Sequence, residues 1–372
     1  MLTAVYALMQ VVFAPIWGRW SDAMGRRPLL LLGIVGYAVA QVLFGVATSL
    51  WLLYLARLLG GILSSATAPV AAAYVADLTT DAERARGMAW LGAATNMGVV
   101  VGPAFAGVLT RQDLHWSAQF GHLKVDSFSI PFFAAATLAL VALPAAMRWV
   151  PESRLRPRDH VPSSGDTGQW QQVVRPLGRL LGVAIAVQFG LTVFETTFAL
   201  HAKEMLGYGP GRVGAAFIVC GAVMTLFQLG VVDRIGSTAR ERAKITAGVA
   251  LVGVSLAVMP VPRGTVPVLM VIGLLAFGVA LVGPNLTSLI SRRAGGHTGA
   301  ALGAQHAANG LGQAAGALFG SLLFSWRMAA PYVLTGTLLA TAAIVMVWRD
   351  TRRHARRSSA AGVRAIPPDT RS

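Results

Sequence analysis

The sequence predicts an all-α, polytopic membrane protein with eleven transmembrane helices. Of its 372 residues, 55% are hydrophobic and only 12% are charged, whereas about a quarter of the residues in soluble domains are charged. Its apolar runs reach the length of about 20 residues that a bilayer-spanning helix needs. The runs do not alternate apolar with polar residues, as transmembrane β-strands would. Composition and pattern therefore argue against a water-soluble enzyme.

Eleven apolar runs are long enough to cross a membrane. In chain order they are residues 1–19, 29–48, 50–76, 87–110, 129–149, 178–200, 210–230, 243–261, 265–290, 299–325 and 327–348. The longest polar stretch, residues 150–176, is rich in Pro, Ser, Gly and Arg, which is typical of a flexible linker. It divides the chain into a five-helix bundle over residues 1–149 and a six-helix bundle over residues 177–348. Residues 349–372 form a basic tail without a core, for which we expect disorder.

The distribution of basic residues predicts the orientation in the membrane. The net charge is +16, and most of the 31 Lys and Arg residues fall in the C-terminal tail and in one of the two alternating sets of loops. Loops that remain in the cytoplasm carry such an excess. We therefore expect a multi-pass protein of the plasma membrane with a cytoplasmic C-terminus. Topology and attraction to anionic lipid account for the charge, so we expect the lipid bilayer, and no nucleic acid, as a partner.

The sequence lacks the usual signatures of catalytic, nucleotide and metal sites. The single cysteine, Cys220, lies inside an apolar run, which leaves no disulfide framework and no thiol metal site. There is no phosphate-binding loop of the G-x-x-x-x-G-K-[ST] type, no His-Glu-x-x-His zinc signature and no Gly-x-Ser-x-Gly elbow. We therefore expect no enzyme activity, no ATP drive, no metal and no cofactor.

Two pairs of motifs indicate an internal duplication. Asp22 and Asp233 each begin an Asp-x-x-Gly pattern followed by basic residues, and they lie 211 residues apart. A stripe of glycines spaced four residues apart starts at Gly98 and recurs at Gly312, 214 residues later. Parallel repeats of this kind occur in transporters. When the span at 178–200 is shifted back by this interval, its partner in the first half falls before residue 1. We therefore expect that the natural protein has a first helix before this chain, and that a missed upstream start codon left it out.

The first glycine stripe predicts a close helix contact. Gly98, Gly102 and Ala106 recur every four residues and share one helix face. Small residues let helices approach closely in lipid, and Pro103 favours a kink because it removes a backbone hydrogen bond. The stripe is therefore either a hinge or a plain packing surface.

Two charged residues lie well inside the predicted spans, away from the span ends, and each is expected to face a cavity or a partner. They are Arg57 and Glu195, and a charge at the bilayer centre costs about 2.5–3.5 kcal/mol on insertion scales. A carboxyl that alternates between buried and solvated environments can carry a proton, so Glu195 is the candidate for proton coupling or cation recognition. A site near the outer interface is its alternative. Arg57 is a candidate for holding an anionic group. A polar stripe in the tenth span completes the candidate cavity, with residues Gln305, His306 and Asn309.

Five motifs, in chain order, resemble those of the major facilitator superfamily. The loop GRWSDAMGRRP resembles the superfamily's cytoplasmic signature G-x-x-x-D-x-x-G-R-[RK], and Leu55-Ala-Arg57-Leu-Leu-Gly60-Gly61 resembles its fourth-helix arginine motif. Gly98-x-x-x-Gly102-Pro103-x-x-x-Gly107 resembles the antiporter motif of the fifth helix, although Ala106 replaces one of its usual paired glycines. Residues 76–84 resemble the loop before that helix, and Pro151-Glu152-Ser153 resembles the motif that closes the first half.

The resemblance implies a two-bundle fold of the major-facilitator type and places the chain near the drug/proton antiporter branch, which includes multidrug and tetracycline efflux. It implies that the first loop locks the two halves together on the cytoplasmic side in the outward-facing state, with Asp77 and Arg84 as its expected partners. It also implies an antiporter hinge at Gly98, Gly102, Pro103 and Gly107. The implied cytoplasmic gate consists of Gly18, Asp22, Gly25, Arg26, Arg27, Asp77, Arg84, Asp233 and Arg234.

Together these observations predict a secondary active transporter of the bacterial inner membrane. We expect a monomer that exports a small hydrophobic compound or drug by proton antiport through alternating access, with that small molecule and protons as its partners. A metabolite carrier of the same fold, for a sugar or an organic acid, is one alternative. An alternative of another class is a non-transporting membrane interaction protein or an inactive truncate.

Overall fold

The computed structural model describes residues 2–80, 83–109, 117–120, 123–126, 129–153, 174–230, 238–294 and 297–364. This part of the chain is nearly all helical. The helices are α1 (Leu2–Met24), α2 (Arg26–Gly45), α3 (Leu50–Ser64), α4 (Thr67–Leu78), α5 (Arg84–Leu109), α6 (Ile130–Trp149), α7 (Gly178–Leu206), α8 (Pro210–Gly230), α9 (Thr238–Val258), α10 (Thr265–Arg293), α11 (Thr298–Trp326) and α12 (Ala330–Arg364). Because α3 and α4 follow each other as one apolar segment, the described residues contain eleven helical segments, as the sequence predicts.

Six of these segments are long and apolar enough to cross a membrane by length and composition. They are Arg26–Gly45, Leu50–Leu78, Ile130–Trp149, Arg175–Leu206, Thr265–Arg293 and Ala330–Trp348. Arg212–Gln228 is a shorter apolar helix. The outer surfaces of the segments carry large apolar side chains, such as Trp51, Leu138 and Ile344, which are more than half exposed. A bilayer would cover these side chains.

Proline explains why the predicted span 50–76 is two helices. The helix α3 ends at Ser64 and α4 begins at Thr67, two residues before Pro69. Proline has no N–H to donate, and its ring collides with the carbonyl group four residues earlier in a continuous helix. The interruption at Ser65 and Ala66 avoids that collision.

Two features differ from the helical spans that the sequence predicts. A two-stranded antiparallel ribbon, β1 (Ser117–Phe120) and β2 (Leu123–Asp126), lies between α5 and α6, with Ser117 opposite Asp126. The backbone of α12 stays helical as far as Arg364, where disorder was expected from residue 349. Arginine and alanine are frequent in this stretch, and both are strong helix formers.

The helices pack in two groups that meet along a shared surface. In the first group α2 packs against α3, α4 and α6, and α1 packs against α3. In the second group α9 packs against α10 and α12, while α7 packs against α11. The groups meet where α1 and α4 contact α11 and where α5 contacts α8 and α10. Any movement between the two groups must therefore open the contacts of α11 or those of α5.

Glycines bring α1 and α11 into backbone contact. A Cβ atom added to Gly303 would lie 2.6 Å from the carbonyl oxygen of Ala14, and one added to Gly310 would lie 2.9 Å from the side chain of Val11. At the crossing nearest the ends of the two helices, Gly18 and Gly299 face each other backbone to backbone. The close approach places the first turn of α11 directly against the last turns of α1.

Candidate functional site

Arg26 is the centre of a buried polar cluster at the start of α2. Its side chain has 0% exposed surface. The guanidinium donates from Nη2 to Oδ1 of Asp22 at 2.8 Å and from Nε to Oδ2 of Asp77 at 2.9 Å, and it also donates to the hydroxyl of Ser21. A buried charge is tolerated only when it is paired and hydrogen-bonded, and Arg26 satisfies both conditions. It links the end of α1, the start of α2 and the end of α4.

Asp22 extends this cluster across to the second group of helices. Its Oδ1 accepts a hydrogen bond from the backbone N–H of Gly299 at 2.9 Å, and its Oδ2 accepts one from Ala300 at 2.9 Å. Both N–H groups belong to the first turn of α11, where helix N–H groups have no partner within the helix. The positive end of the helix dipole favours an anion there. We call this arrangement of Asp22 on the start of α11 the clamp.

Gly25 and Glu152 hold the turn between α1 and α2 in place. Gly25 has φ +100°, a conformation that L-residues with a Cβ rarely adopt. A Cβ at this position would lie 2.6 Å from the Glu152 carboxylate. That carboxylate accepts hydrogen bonds from the backbone N–H of Arg26 at 2.8 Å and of Arg27 at 3.1 Å. The Glu152 carboxylate therefore accepts hydrogen bonds from N–H groups at the start of α2, a role that its position after the fifth predicted span did not suggest.

The other predicted gate arginines bind backbone carbonyl groups. Arg27 donates from Nη2 to the carbonyl oxygen of Met147 in α6 at 2.6 Å. Arg84 donates from Nη2 to the carbonyl oxygens of Ala76 at 3.2 Å and Thr79 at 3.4 Å, at the end of α4. Cations at these positions offset the negative ends of helix dipoles. The predicted second-copy residues Asp233 and Arg234 lie outside the described residues.

The two glycine stripes have opposite surroundings. Among the described residues, a Cβ added to Gly98 or Gly102 would meet no heavy atom within 4 Å. Their counterpart in α11 is packed closely, because a Cβ on Gly316 would lie 2.7 Å from the carbonyl oxygen of Phe189 in α7. Pro103 and Gly107 belong to the α5 helix, and their surroundings are outside the described side chains. The close contact predicted for the first stripe is thus present at the second.

Arg57 and Glu195 lie in different groups of helices. The Arg57 guanidinium is stacked over the Phe44 ring of α2, 4.5 Å from the ring centroid, a distance typical of a cation–π contact. Glu195 is exposed on α7. Within the described residues no hydrogen bond or ion pair joins Arg57 to Glu195. The structure therefore presents them as two separate polar positions.

The polar stripe of α11 is divided between a packed and a more accessible part. Gln305 is buried and donates from Nε2 to the hydroxyl of Thr287 in α10 at 2.9 Å. His306 and Asn309 are half-buried. Gln305 thus ties α11 to α10, whereas His306 and Asn309 are the members of the stripe that remain partly accessible.

A second buried ion pair was missed in the sequence. Glu241 in the first turn of α9 pairs with Arg292 at the end of α10, with Oε1 and Nη2 3.2 Å apart, and it also accepts from the hydroxyl of Ser288 at 3.1 Å. Glu241 and Arg292 each lie 215 residues after Arg26 and Asp77. The pair is therefore repeated in the second group with its charges exchanged. An interval one residue longer than that of the glycine stripes, applied to charged residues of either sign, joins the two pairs.

Comparisons with known proteins agree with this architecture. Residues 1–316 match the family described as the Major Facilitator Superfamily. The chain is 27% identical over 361 residues to Multidrug resistance protein 2 of Bacillus subtilis, which covers 95% of this chain and 87% of that protein. It is 32% identical over 299 residues to the class E tetracycline resistance protein of Escherichia coli, and this match covers 79% of this chain and 70% of that protein. The crystal structure of the human organic anion transporter MFSD10 (TETRAN) superposes with a TM-score of 0.80 and 23% identity, over 93% of this chain and 82% of that one.

Proposed function

The chain belongs to the Major Facilitator Superfamily, and we propose that it is a secondary active transporter that exports a small hydrophobic compound or drug by proton antiport. Relatives named for multidrug and tetracycline resistance support export of such compounds. The spans of the chain contain few charges, which favours an apolar cargo over a sugar or an organic acid. We place this activity in the bacterial inner membrane.

The observation that carries the proposal is the clamp between Asp22 and the first turn of α11. It joins the two groups of helices through two hydrogen bonds of 2.9 Å and the opposite partial charges of a carboxylate and a helix end. A contact of this kind can be released as a unit, because its donors and acceptors are exposed to water once the helices separate. Transport by alternating access requires such a reversible closure. We propose that the arginine-rich end, defined by Arg26, Arg27, Arg292 and Arg293, is the cytoplasmic end and that the structure is the outward-facing state.

We assign proton coupling to Glu195. A carboxyl releases and takes up a proton as its environment changes from solvated to buried, and Glu195 is an exposed carboxyl on α7, the helix that packs on α11. Arg57, His306, Gln305 and Asn309 are proposed to line the path of the substrate. A membrane potential of 100 mV supplies about 2.3 kcal/mol per charge, so one coupled proton sustains a substrate gradient of about 50-fold.

A transport panel tests the function. The chain is expressed in an efflux-deficient bacterial host, and the accumulation of fluorescent drugs and tetracycline is measured with and without a proton uncoupler. We expect lower accumulation in energised cells and the loss of that difference with the uncoupler. If accumulation is the same with and without the chain for every compound, the proposal of drug export is wrong.

Glu195→Gln tests the coupling residue in the same cells. The amide cannot exchange a proton, so we expect export against a gradient to fall at least about tenfold, while downhill exchange of the substrate continues. The matched control is Glu204→Gln, which removes another exposed carboxylate of α7 and is expected to export normally. Uncoupler-sensitive export that persists in Glu195→Gln would contradict the assignment.

A further inference from the structure

Arg57 carries a charge that no acidic side chain neutralises within the described part of the chain. It lies half-buried in α3, and its Nε atom is buried without a hydrogen-bond partner. None of the ion pairs that the described residues form includes it. A guanidinium stays protonated in proteins and has five N–H donors. The N–H groups of Arg57 are therefore available to an acceptor that the described residues do not supply.

Aromatic rings support this guanidinium from one side. Its Cζ atom lies 4.5 Å from the centroid of the Phe44 ring of α2. The Phe44 ring in turn contacts the ring of Phe132 in α6, with the two centroids 4.7 Å apart and the ring planes inclined at 44°. Guanidinium groups stack well on aromatic faces. The contact therefore holds Arg57 in place without using its N–H groups.

This contact lies toward the end of the first group of helices that is opposite the clamp. Phe44 is the last residue but one of α2, a helix that begins beside the clamp at Arg26. Arg57 comes seven residues after the start of α3 at Leu50, which is about 10 Å along the helix axis. In the outward-facing state proposed above, this end is the open one. A substrate that leaves the protein therefore passes the level of Arg57.

The face of α2 that carries Phe44 continues with polar groups toward the middle of the helix. Tyr37, Gln41 and Phe44 recur at intervals of four and three residues and therefore share one helix face. The side-chain amide of Gln41 donates from Nε2 to the hydroxyl oxygen of Tyr37 at 3.2 Å. Tyr37 has 39% of its surface exposed. The helix thus offers aromatic and amide surface on the same face as the ring that contacts Arg57.

These surroundings indicate the chemistry of a matching ligand. Hydrogen bonds between a guanidinium and a negatively charged oxygen are among the strongest in proteins, and flat rings pack well against aromatic side chains. A cation would be repelled by Arg57, and an uncharged aliphatic compound would use neither its N–H groups nor the rings. A single negative charge on an otherwise apolar ring system also agrees with spans that contain few charges.

We propose that Arg57 and Phe44 recognise the negative group of an aromatic substrate, so that the exported class consists of flat ring systems that carry a carboxylate or a phenolate. This inference rests on the function proposed above and narrows its substrate. Arg57 binds the anionic oxygen of the substrate, and Phe44 keeps the guanidinium in position. The charge of a compound, and not only its size, then decides whether the protein exports it.

The test measures uptake into energised inside-out membrane vesicles, where export by the protein fills the vesicle. The probes are fluorescein, an aromatic anion with a carboxylate and a phenolate, and ethidium, an aromatic cation. We expect more chain-dependent uptake of fluorescein than of ethidium, and we expect Arg57→Gln to lower the ratio of the two at least about tenfold. Arg57→Lys keeps the charge but loses the planar group, so it is expected to keep only part of the ratio. Preference for ethidium, or an unchanged ratio in Arg57→Gln, would overturn the proposal.

A second variant, a control and a binding measurement separate recognition from folding and from transport. Phe44→Leu keeps the charge, removes the ring and is expected to lower the ratio about threefold. Arg263→Gln removes an exposed arginine just before α10 and is expected to keep the wild-type ratio; a loss equal to that of Arg57→Gln would show a general effect of surface charge. If neither probe is taken up, drug export is contradicted, and fluorescence polarisation of fluorescein with the purified full chain decides the inference. A Kd about tenfold higher in Arg57→Gln supports the site, and an equal Kd overturns it.

Discussion

Gly316 and Gly102 show how far the surroundings of one residue type can differ. A Cβ at Gly316 would lie 2.7 Å from the carbonyl oxygen of Phe189 and 3.0 Å from the Cβ of Thr192. These are backbone or branched atoms that cannot rotate away. A Cβ at Gly102 would meet nothing within 4 Å among the described residues. The two glycines occupy corresponding positions of the repeat, yet only Gly316 is required by packing.

Alanine substitutions should therefore have opposite effects at these two positions. Alanine favours a helix by about 1 kcal/mol over glycine, so Gly102→Ala is expected to leave stability unchanged or to raise it. Gly316→Ala forces α7 and α11 apart, and overpacking of this kind costs about 1–3 kcal/mol. Thermal unfolding of both variants in the same detergent measures the difference. An equal melting temperature for the two would show that the contact of α7 with α11 can adjust.

Side chains of opposite charge in a short motif were predictable from the sequence, whereas their backbone partners were not. Asp22, Arg26 and Asp77 were expected to act together, and the structure joins them through the Arg26 guanidinium. Nothing in the residue types showed that Asp22 would face the N–H groups of Gly299 and Ala300, or that Glu152 would accept from the start of α2. Every residue carries a backbone N–H, so only the fold decides which of them is left without a partner.

At the scale of elements, the described part of each group of helices contains a buried ion pair that ties the start of one helix to the end of another. Arg26 of α2 pairs with Asp77 of α4, and Glu241 of α9 pairs with Arg292 of α10. The direction of charge is reversed between the two. Since a buried pair needs opposite charges but not a fixed order, the exchange keeps the contact while altering both residues. Motif patterns that require the same residue type in both halves cannot detect it.

Removing one partner of the Glu241–Arg292 pair should lower the free energy of unfolding strongly, and removing both partners should lower it less. In Arg292→Met the Glu241 carboxylate stays buried without its cation, and such a loss costs about 3–5 kcal/mol. Adding Glu241→Leu removes the uncompensated charge, so the double variant is expected to regain most of that stability. Unfolding of the single and double variants in detergent gives the coupling energy. Strictly additive losses would show that the two side chains do not act as a pair.

The number and approximate ends of the helices follow from apolar run length, but their interruptions do not. Apart from Arg57, the run 50–76 is largely apolar throughout, so its hydropathy does not show where α3 ends and α4 begins. Only the position of Pro69 indicates that break. The helical extension of α12 to Arg364 depends on helix propensity rather than on membrane length.

At the scale of the whole molecule, the two groups of helices are closed against each other at the arginine-rich end. The clamp lies beside the close crossing of α1 and α11, and α5 contacts α8 and α10. The internal repeat predicted that two similar bundles would exist. It could not predict which helices meet between them, because that depends on a surface shared by distant parts of the chain.

Weakening the clamp should open this end. Ala300 is 4% exposed, so a cysteine placed there in a Cys220→Ser background is expected to resist membrane-impermeant thiol reagents. Adding Asp22→Asn removes the negative charge that the N–H groups at the start of α11 hold. Because a hydrogen bond to a charged group contributes about 1.5–3 kcal/mol, the closed state loses stability. Labelling of Ala300→Cys in inside-out vesicles should therefore rise about tenfold or more. Glu83→Gln, which alters an exposed carboxylate near the same end, serves as the control. Labelling that is equally low in all three backgrounds would contradict a gating role for Asp22.

The clamp also has a consequence for biosynthesis. Asp22 and its partner Gly299 are 277 residues apart, so at about 5–20 residues per second the ribosome takes about 15–55 s to supply the partner after Asp22 is made. Arg26 is only four residues away from Asp22, and it can neutralise the carboxylate during that interval. The first bundle can therefore enter the membrane without an unpaired aspartate, and closure of the clamp becomes one of the last events in assembly of the nascent protein.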